Sequence, residues 1–266
     1  MLKLLTILAA LFLLGACQSE PEIEDDGTRV TYFAMESRSS HNDWQDFILI
    51  EVDAQEYITY IRLDGINPMV SSTRRESARL EWSEGIADSN FYEQIHPFEE
   101  ALIGQPVAEL TALLQEGDHD EFEPSNWIAL AVIALSTDPI ERGPYLEGLY
   151  QSMSEESVDG FYYFVNFIVV YGHLIEIQWN AITEDGFLKY DDILMMGIGD
   201  DSDVRQWRDQ AILLEEALIR LQDPMLFTFD EDGYATDIAG VHLQIEPFIT
   251  LVIQGLAEGP ITTDLD

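Results

Sequence analysis

The chain has 266 residues, with 51 Asp and Glu against 12 Lys and Arg, a formal net charge of -39. A surface of that sign repels nucleic acid and anionic lipid headgroups, which excludes the functions that grip polyanions. Disorder is excluded too: 47% apolar and 11% aromatic residues can fill a core, and the length suits two small domains or one large one.

Met1 to Ala16 carries Lys3, then an apolar run from Leu4 to Leu14 broken only by Thr6, then the small residues Gly15 and Ala16. This is the layout of a secretory signal peptide (residues 1–16), too short for a ~20-residue membrane span. Cys17 follows, the only cysteine. Leu14-Gly15-Ala16-Cys17 resembles the bacterial lipobox, which implies cleavage before Cys17 and lipidation of its thiol. Acyl chains buried at about 0.8 kcal/mol per CH2 make such an anchor effectively permanent. The expected location is the membrane, lipid-anchored and facing outside the cytoplasm, at a cell surface or in a periplasm. A lipidated Cys17 leaves no thiol for disulfides, catalysis or metal binding. Removing residues 1–16 takes Lys3 away, so Lys189 is the one remaining lysine. An acidic, lysine-poor surface of this kind suits a saline or alkaline, halophilic or alkaliphilic, niche. A cationic partner is the competing explanation of the charge.

Residues 17–26 read as an acidic tether. Trp44 to Val52 then alternates, with Ile48, Ile50 and Val52 on one face, and Ile58, Ile61 and Leu63 follow a turn, so a strand hairpin is expected. Val165, Phe167 and Val169, then Gly172, Leu174, Ile177 and Trp179, repeat the pattern. Leu63-Asp64-Gly65-Ile66 precedes Trp179-Asn180-Ala181-Ile182 by 116 residues (63 to 179). Glu99-Glu100-Ala101-Leu102-Ile103 recurs letter for letter as Glu215-Glu216-Ala217-Leu218-Ile219, again 116 apart (99 to 215). Each copy then reaches a Glu-Pro that opens an apolar helix, at Glu123-Pro124 and at Glu246-Pro247. The organisation expected is a tandem duplication, with repeats over 27–140 and 156–266 joined by a linker over 141–155. Each repeat has a strand hairpin packed with helices, an α+β fold. The helix carrying the second Glu-Glu-Ala-Leu-Ile is expected from about Asp203 to Leu221. In the first copy Pro97 should kink or delay the equivalent helix.

Val165-x-Phe167-x-Val169, Gly172-His173-Leu174, Trp179-Asn180, Leu214 to Ile219 with Gln222, and Thr236 to His242 before a closing helix together resemble the FMN-binding domain family. That family includes flavin-carrying subunits of membrane electron-transfer complexes and tandem-repeat bacterial surface lipoproteins. Its attachment motif reads Asp, two small or apolar residues, Ser, Gly, Ala, Thr, and the final Thr carries FMN as a phosphoester. Carried over by position, the resemblance places Thr236 at the Asp, Ala239 at the Ser, Gly240 at the Gly, Val241 at the Ala and His242 at the Thr. His242 has no hydroxyl, so the usual covalent link cannot form. Noncovalent FMN remains open, through Gly240 and stacking on Trp179 or Tyr234, although its phosphate would meet a very acidic surface. The first copy has a run of charge, Gly117 to Glu123, in place of the motif.

Other candidates are weaker. His41, His96, His119, His173 and His242 form no close pair with ligand spacing, so no zinc site is expected. Asp230-Glu231-Asp232-Gly233 looks like part of a calcium loop, but Thr228 and Ala239 stand where ligands belong, leaving an Asp-Gly turn. Gly197-Ile198-Gly199 reads as a loop. The expectation is a noncatalytic binding or accessory role at the cell envelope, with envelope proteins or cations as partners. The alternative is extracytoplasmic electron transfer by bound flavin. Replacing Cys17 with Ser should move the protein from the membrane fraction to the soluble fraction on cell fractionation; continued membrane retention contradicts the anchor.

Overall fold

A computed structural model of the chain describes residues 28–36, 44–67, 72–77, 91–116, 124–190 and 201–261. The expected signal peptide, Cys17, the expected tether, His41, His119, the charged run 117–123 and Gly197-Ile198-Gly199 lie outside these residues. The fold is α+β. Strands β1 (Arg29–Met35), β2 (Gln45–Asp53), β3 (Ile58–Asn67) and β4 (Ser72–Thr73) form an antiparallel sheet in chain order. Helices α1 (Phe91–Leu102), α2 (Leu110–Glu116) and α3 (Pro124–Leu135) follow. Strands β5 (Gly148–Met153), β6 (Phe161–Val170) and β7 (His173–Thr183) form a second antiparallel sheet, followed by α4 (Asp201–Leu221) and α5 (Glu246–Glu258).

The alternating residues sort onto the faces that the sequence pattern requires. Ile48, Ile50, Val52, Ile58, Ile61 and Leu63 pack with Trp127, Leu130 and Ala131 of α3 and with α1 and α2. Val165, Phe167, Val169, Leu174, Ile177 and Trp179 pack with Trp207, Leu214 and Leu218 of α4 and with Phe248 and Val252 of α5. The opposite faces are buried as well. Phe47 and Ile66 of the first sheet meet Ile168, Val170 and Ile175 of the second, with Phe33, Met35, Leu149 and Tyr171 alongside. The layers therefore run helices, sheet, sheet, helices. Strands buried on both sides read as unbroken apolar runs, here Phe47 to Ile50 and Phe167 to Val170.

Polar contacts fix the two halves against each other at the rim of this inner core. Arg62 pairs with Glu147 across the halves and with Asp64 at 2.9 Å in its own strand. Its guanidinium lies 5.4 Å from the Phe47 ring. Thr31 Oγ1 donates to Tyr171 Oη at 2.9 Å, and the Ile140 amide donates to the Thr31 carbonyl at 2.7 Å. The β6–β7 hairpin turns at Tyr171 and Gly172, both with positive φ (51° and 79°), the two-residue form whose twist suits the strands. Gly143 crosses this turn so closely that a Cβ on it would lie 2.1 Å from the Gly172 carbonyl oxygen, so only glycine fits there.

The second strand of each hairpin has one side that β2 or β6 does not pair; β4 pairs β3 there at Ile66 and Asn67, and the following contacts cover matching positions in both halves. The Leu63 amide donates to Glu99 Oε1 at 2.6 Å, and the Trp179 amide to Glu215 Oε1 at 2.7 Å. Arg75 binds Glu99 and donates to the Leu63 carbonyl at 3.2 Å; Arg208 binds Glu215 and donates to the Trp179 carbonyl at 3.3 Å. The Gly65 amide is taken by Asp64 Oδ1 and the Ala181 amide by Asn180 Oδ1. At Ile58 the backbone of Gly104 and Gln105 closes the edge, while at Leu174 the side-chain amide of Gln222 does so, donating and accepting at 2.8 Å. Burial pushes the Glu99 carboxyl up, and the Arg75 charge opposes that. The first Glu of each Glu-Glu pair is thus an edge cap, while Glu100 and Glu216 face solvent.

One feature departs from the sequence reading. The stretch 141–155, read as a linker, contains β5, which pairs along its whole length with β6. Its polar Gln151, exposed at the sheet edge, and the small buried Ser152, packed near Gly255 of α5, broke the apolar pattern. Strand β1 stands in the equivalent position of the first half, beside β2. Pro97 lies inside α1, which spans 12 residues against 21 in α4. Ile168, 1% exposed at the centre of the inner core, provides the test of the stacking. Ile168→Ala should cost about 2–5 kcal/mol in urea unfolding, the range for a buried Ile that leaves a cavity. A loss below about 0.5 kcal/mol, the range of an ordinary surface change, contradicts the packing.

Candidate functional site

A cleft of about 620 Å³ opens in the second half, within the size range of small-molecule sites. Its floor is aromatic. The Trp179 ring lies 5.2 Å from Trp207, 5.3 Å from Phe248 and 5.8 Å from Tyr163, all tilted. Trp179, Trp207 and Tyr163 line the cleft. One wall is the loop after β5, with Ser154, Glu155, Val158 and Asp159. The other comes from Tyr234, His242, Leu243 and Gln244, and the first turns of α5 supply Glu246, Pro247, Thr250, Leu251 and Gln254.

The fold places these side chains for local reasons. Glu215 and Arg208 hold the Trp179 backbone at the sheet edge and so fix its ring. Trp207 is adjacent to Arg208 on α4, and Lys189 packs against it. The Lys189 ammonium lies 4.7 Å from Trp207, 4.9 Å from Tyr163 and 5.1 Å from Phe161, and donates to Tyr163 Oη at 2.8 Å. Asp230 Oδ1 accepts from the Asp232 and Tyr234 amides at 3.0 and 2.9 Å, and Gly233 follows with φ 82°. That compact Asp-Gly turn, rather than an ion-binding loop, delivers Tyr234 to the cleft. Asp53 makes the same turn before Tyr57, accepting from the Gln55 and Tyr57 amides. The indole N–H of Trp179 is buried with no hydrogen-bond partner among the described residues.

The segment that resembles a flavin-attachment motif forms a turn beside the cleft. The Val241 amide donates to the Ile238 carbonyl at 3.2 Å, and Gly240 takes φ 84° between them. Val241 is buried in the core, whereas Ala239 and Gly240 are exposed. The Thr236 hydroxyl is engaged with the Thr228 hydroxyl at 2.7 Å. His242 is the member of the five that lines the cleft; its amide donates to Gln210 Oε1, which anchors the turn to α4. The structure thus brings His242 together with Trp179 and Tyr234, and leaves Thr236, Ala239, Gly240 and Val241 off the lining. Sequence reasoning missed Glu155, Asp159 and Glu246, because 51 carboxylates give many chance spacings. It placed Trp207 only in a buried helical stripe.

Among the described residues, no three His, Cys, Asp or Glu side chains converge as metal ligands. His173 Nε2 is 2.7 Å from the Glu141 carbonyl oxygen, and His96 is 3.6 Å from Glu100 on an exposed helix face. No described helix is long and apolar enough to cross a membrane. A second cavity of about 240 Å³ lies between the halves, lined almost wholly by apolar groups from Phe33, Met35, Val170 and Ile175.

No protein-family model matches the sequence, and no curated protein matches it. Among solved structures, a solution NMR structure of a Clostridium thermocellum protein is similar at 25% identity. Its TM-score is 0.35, over 42% of this chain and 90% of its own. A crystal structure of a Clostridium perfringens protein is similar at 22% identity with a TM-score of 0.30, over 44% of this chain and 89% of its own.

Removal of the Glu215 carboxylate tests how the floor of the cleft is held. Glu215→Ala leaves Arg208 buried without its partner and should destabilise the protein by about 3–5 kcal/mol. Glu215→Gln keeps an acceptor for the Trp179 amide and should cost less. Equal stability of all three proteins in urea unfolding contradicts the assignment.

Proposed function

We propose that the chain is a lipid-anchored, extracytoplasmic protein of two FMN-binding-like repeats. Its second repeat binds a small molecule noncovalently and carries out no covalent chemistry on it. One observation carries this reading: His242, at the position where the resemblance would put a flavin-bearing Thr, faces a cleft floored by Trp179 and Trp207. The cleft has ligand size and aromatic surface, but the residue at its attachment position has no hydroxyl. Cys17 tethers the binding module outside the cell, and residues 17–26 space it from the membrane. The cleft takes its ligand by stacking and exclusion of water, since large aromatic surfaces supply most of the energy at such sites.

A second reading is electron transfer by noncovalent flavin. The aromatic floor and Tyr234 suit a flat ring, and this is the observation that favours it. Against it, Glu155, Asp159 and Glu246 line the same cleft while no Lys or Arg does, so a dianionic phosphate would be repelled.

Purified protein separates the readings. Noncovalent, noncatalytic binding predicts a colourless polypeptide after acid denaturation, and no reducible chromophore before it. Flavin absorbance that stays on the denatured chain contradicts the reading. Flavin that is released on denaturation and was reducible in the native protein supports the electron-transfer alternative.

A further inference from the structure

The ligand class follows from the charges around the cleft, given that the cleft is a binding site as proposed above. We propose that its ligand is an organic cation: an ammonium or guanidinium group on an apolar body, seated against Tyr163 and Tyr234 above the buried Trp179 and Trp207 and facing Glu155, Asp159 and Glu246.

Three observations converge on that class. The first is the floor. Aromatic faces are electron-rich and attract cations within about 6 Å of the ring centroid. The protein already uses this attraction with its own Lys189 ammonium, held 4.7 Å from Trp207 and 4.9 Å from Tyr163. Both rings also line the cleft, but Trp207 is buried and Tyr163 half-buried, so the open ring surface a ligand meets is that of Tyr163 and of the exposed Tyr234. The second is the rim. Glu155, Asp159 and Glu246 are exposed, and no ion pair among the described residues neutralises them. The other ionisable side chain at the lining is His242, and the Lys189 ammonium lies 4.7 and 4.9 Å from the Trp207 and Tyr163 rings, so three carboxylates face at most two cations.

The third is the volume. A bare inorganic cation would need converging oxygen ligands, and no such group of side chains exists among the described residues. The cleft of about 620 Å³ instead has apolar walls, Val158 and Leu251, for a carbon body. A weakly hydrated organic cation loses little on leaving water for such a surface, whereas a small metal ion loses much. The two attractions also respond differently to salt. The rim carboxylates are screened as ionic strength rises, while contact with the ring faces persists. Affinity should therefore fall with salt but not vanish.

The test is calorimetric titration of the full-length chain, purified in a nonionic detergent. The probes are benzyltrimethylammonium, benzyl alcohol and benzoate, which share a ring and differ in charge, with FMN alongside. The expected order is cation, then neutral, then anion, with the cation favoured over the alcohol by about tenfold or more. A second protein carries Glu155→Gln, Asp159→Asn and Glu246→Gln, all at exposed positions with no ion pair among the described residues. It should bind the cation about tenfold more weakly and the alcohol equally well. Benzyl alcohol, benzoate or FMN binding as tightly as the cation overturns the cation assignment and leaves the cleft standing as a binding site. So does a triple variant with undiminished cation affinity. Absence of binding by all four probes overturns both.

Discussion

Each hairpin has to satisfy the outer edge of its second strand, and the rest of the structure is arranged around that need. An edge strand presents amides and carbonyls with no strand to pair, and a buried unpaired group costs about 1–3 kcal/mol. Here β4 pairs β3 only at Ile66 and Asn67, and elsewhere along both edges side chains of the covering helix, with Arg75 in the first half, replace the missing strand. Glu99 and Glu215 accept from the Leu63 and Trp179 amides, and Arg75 and Arg208 donate to the matching carbonyls. Each Glu–Arg pair therefore hydrogen-bonds to the sheet as well as to itself. The repeated Glu-Glu-Ala-Leu-Ile has a physical reason: its first carboxylate must reach into the sheet edge while its Leu fills the core beneath.

The sheet-on-sheet contact extends this arrangement. With helices on one face of each sheet, the remaining faces would expose Phe47, Ile66, Ile168 and Val170, and they bury one another instead. Charge shapes the same picture. The chain has few cations, and several of them are drawn inward. Arg75 and Arg208 cap edges, Arg62 joins the halves, Arg74 pairs with Asp46 at 2.8 Å, and Lys189 sits among three rings. What remains at the surface is overwhelmingly carboxylate. A cleft lined by Glu155, Asp159 and Glu246 in such a protein takes its sign from that rim.

Much of the fold was legible in the sequence. Ile48, Ile50 and Val52, and Val165, Phe167 and Val169, alternate at the strand period, and both sets face helices. Glu99 and Glu215 recur at one offset, and both cap an edge. Arg75 and Arg208 escaped notice because they reach equivalent places from different positions, one just after β4 and one within α4. The second buried face was written in the runs Phe47 to Ile50 and Phe167 to Val170, which an alternation search reads as one-sided. Strand β5 was hidden by Gln151, exposed at the sheet edge, and by Ser152, a small polar residue buried against α5. At the site, Trp179, Tyr234 and His242 could be named from a resemblance, and the structure gathers them at one cleft. The acidic rim could not be named, since in a chain this acidic no single carboxylate stands out.

Amide hydrogen exchange at Leu63 and Trp179 tests the edge-capping arrangement most directly. Both amides point away from β2 and β6, and among the described residues their acceptors are Glu99 and Glu215. The account predicts that both exchange as slowly as core ladder amides such as those of Ile50 and Phe167, through opening of the whole fold. Exchange at either position as fast as in an exposed loop would contradict it.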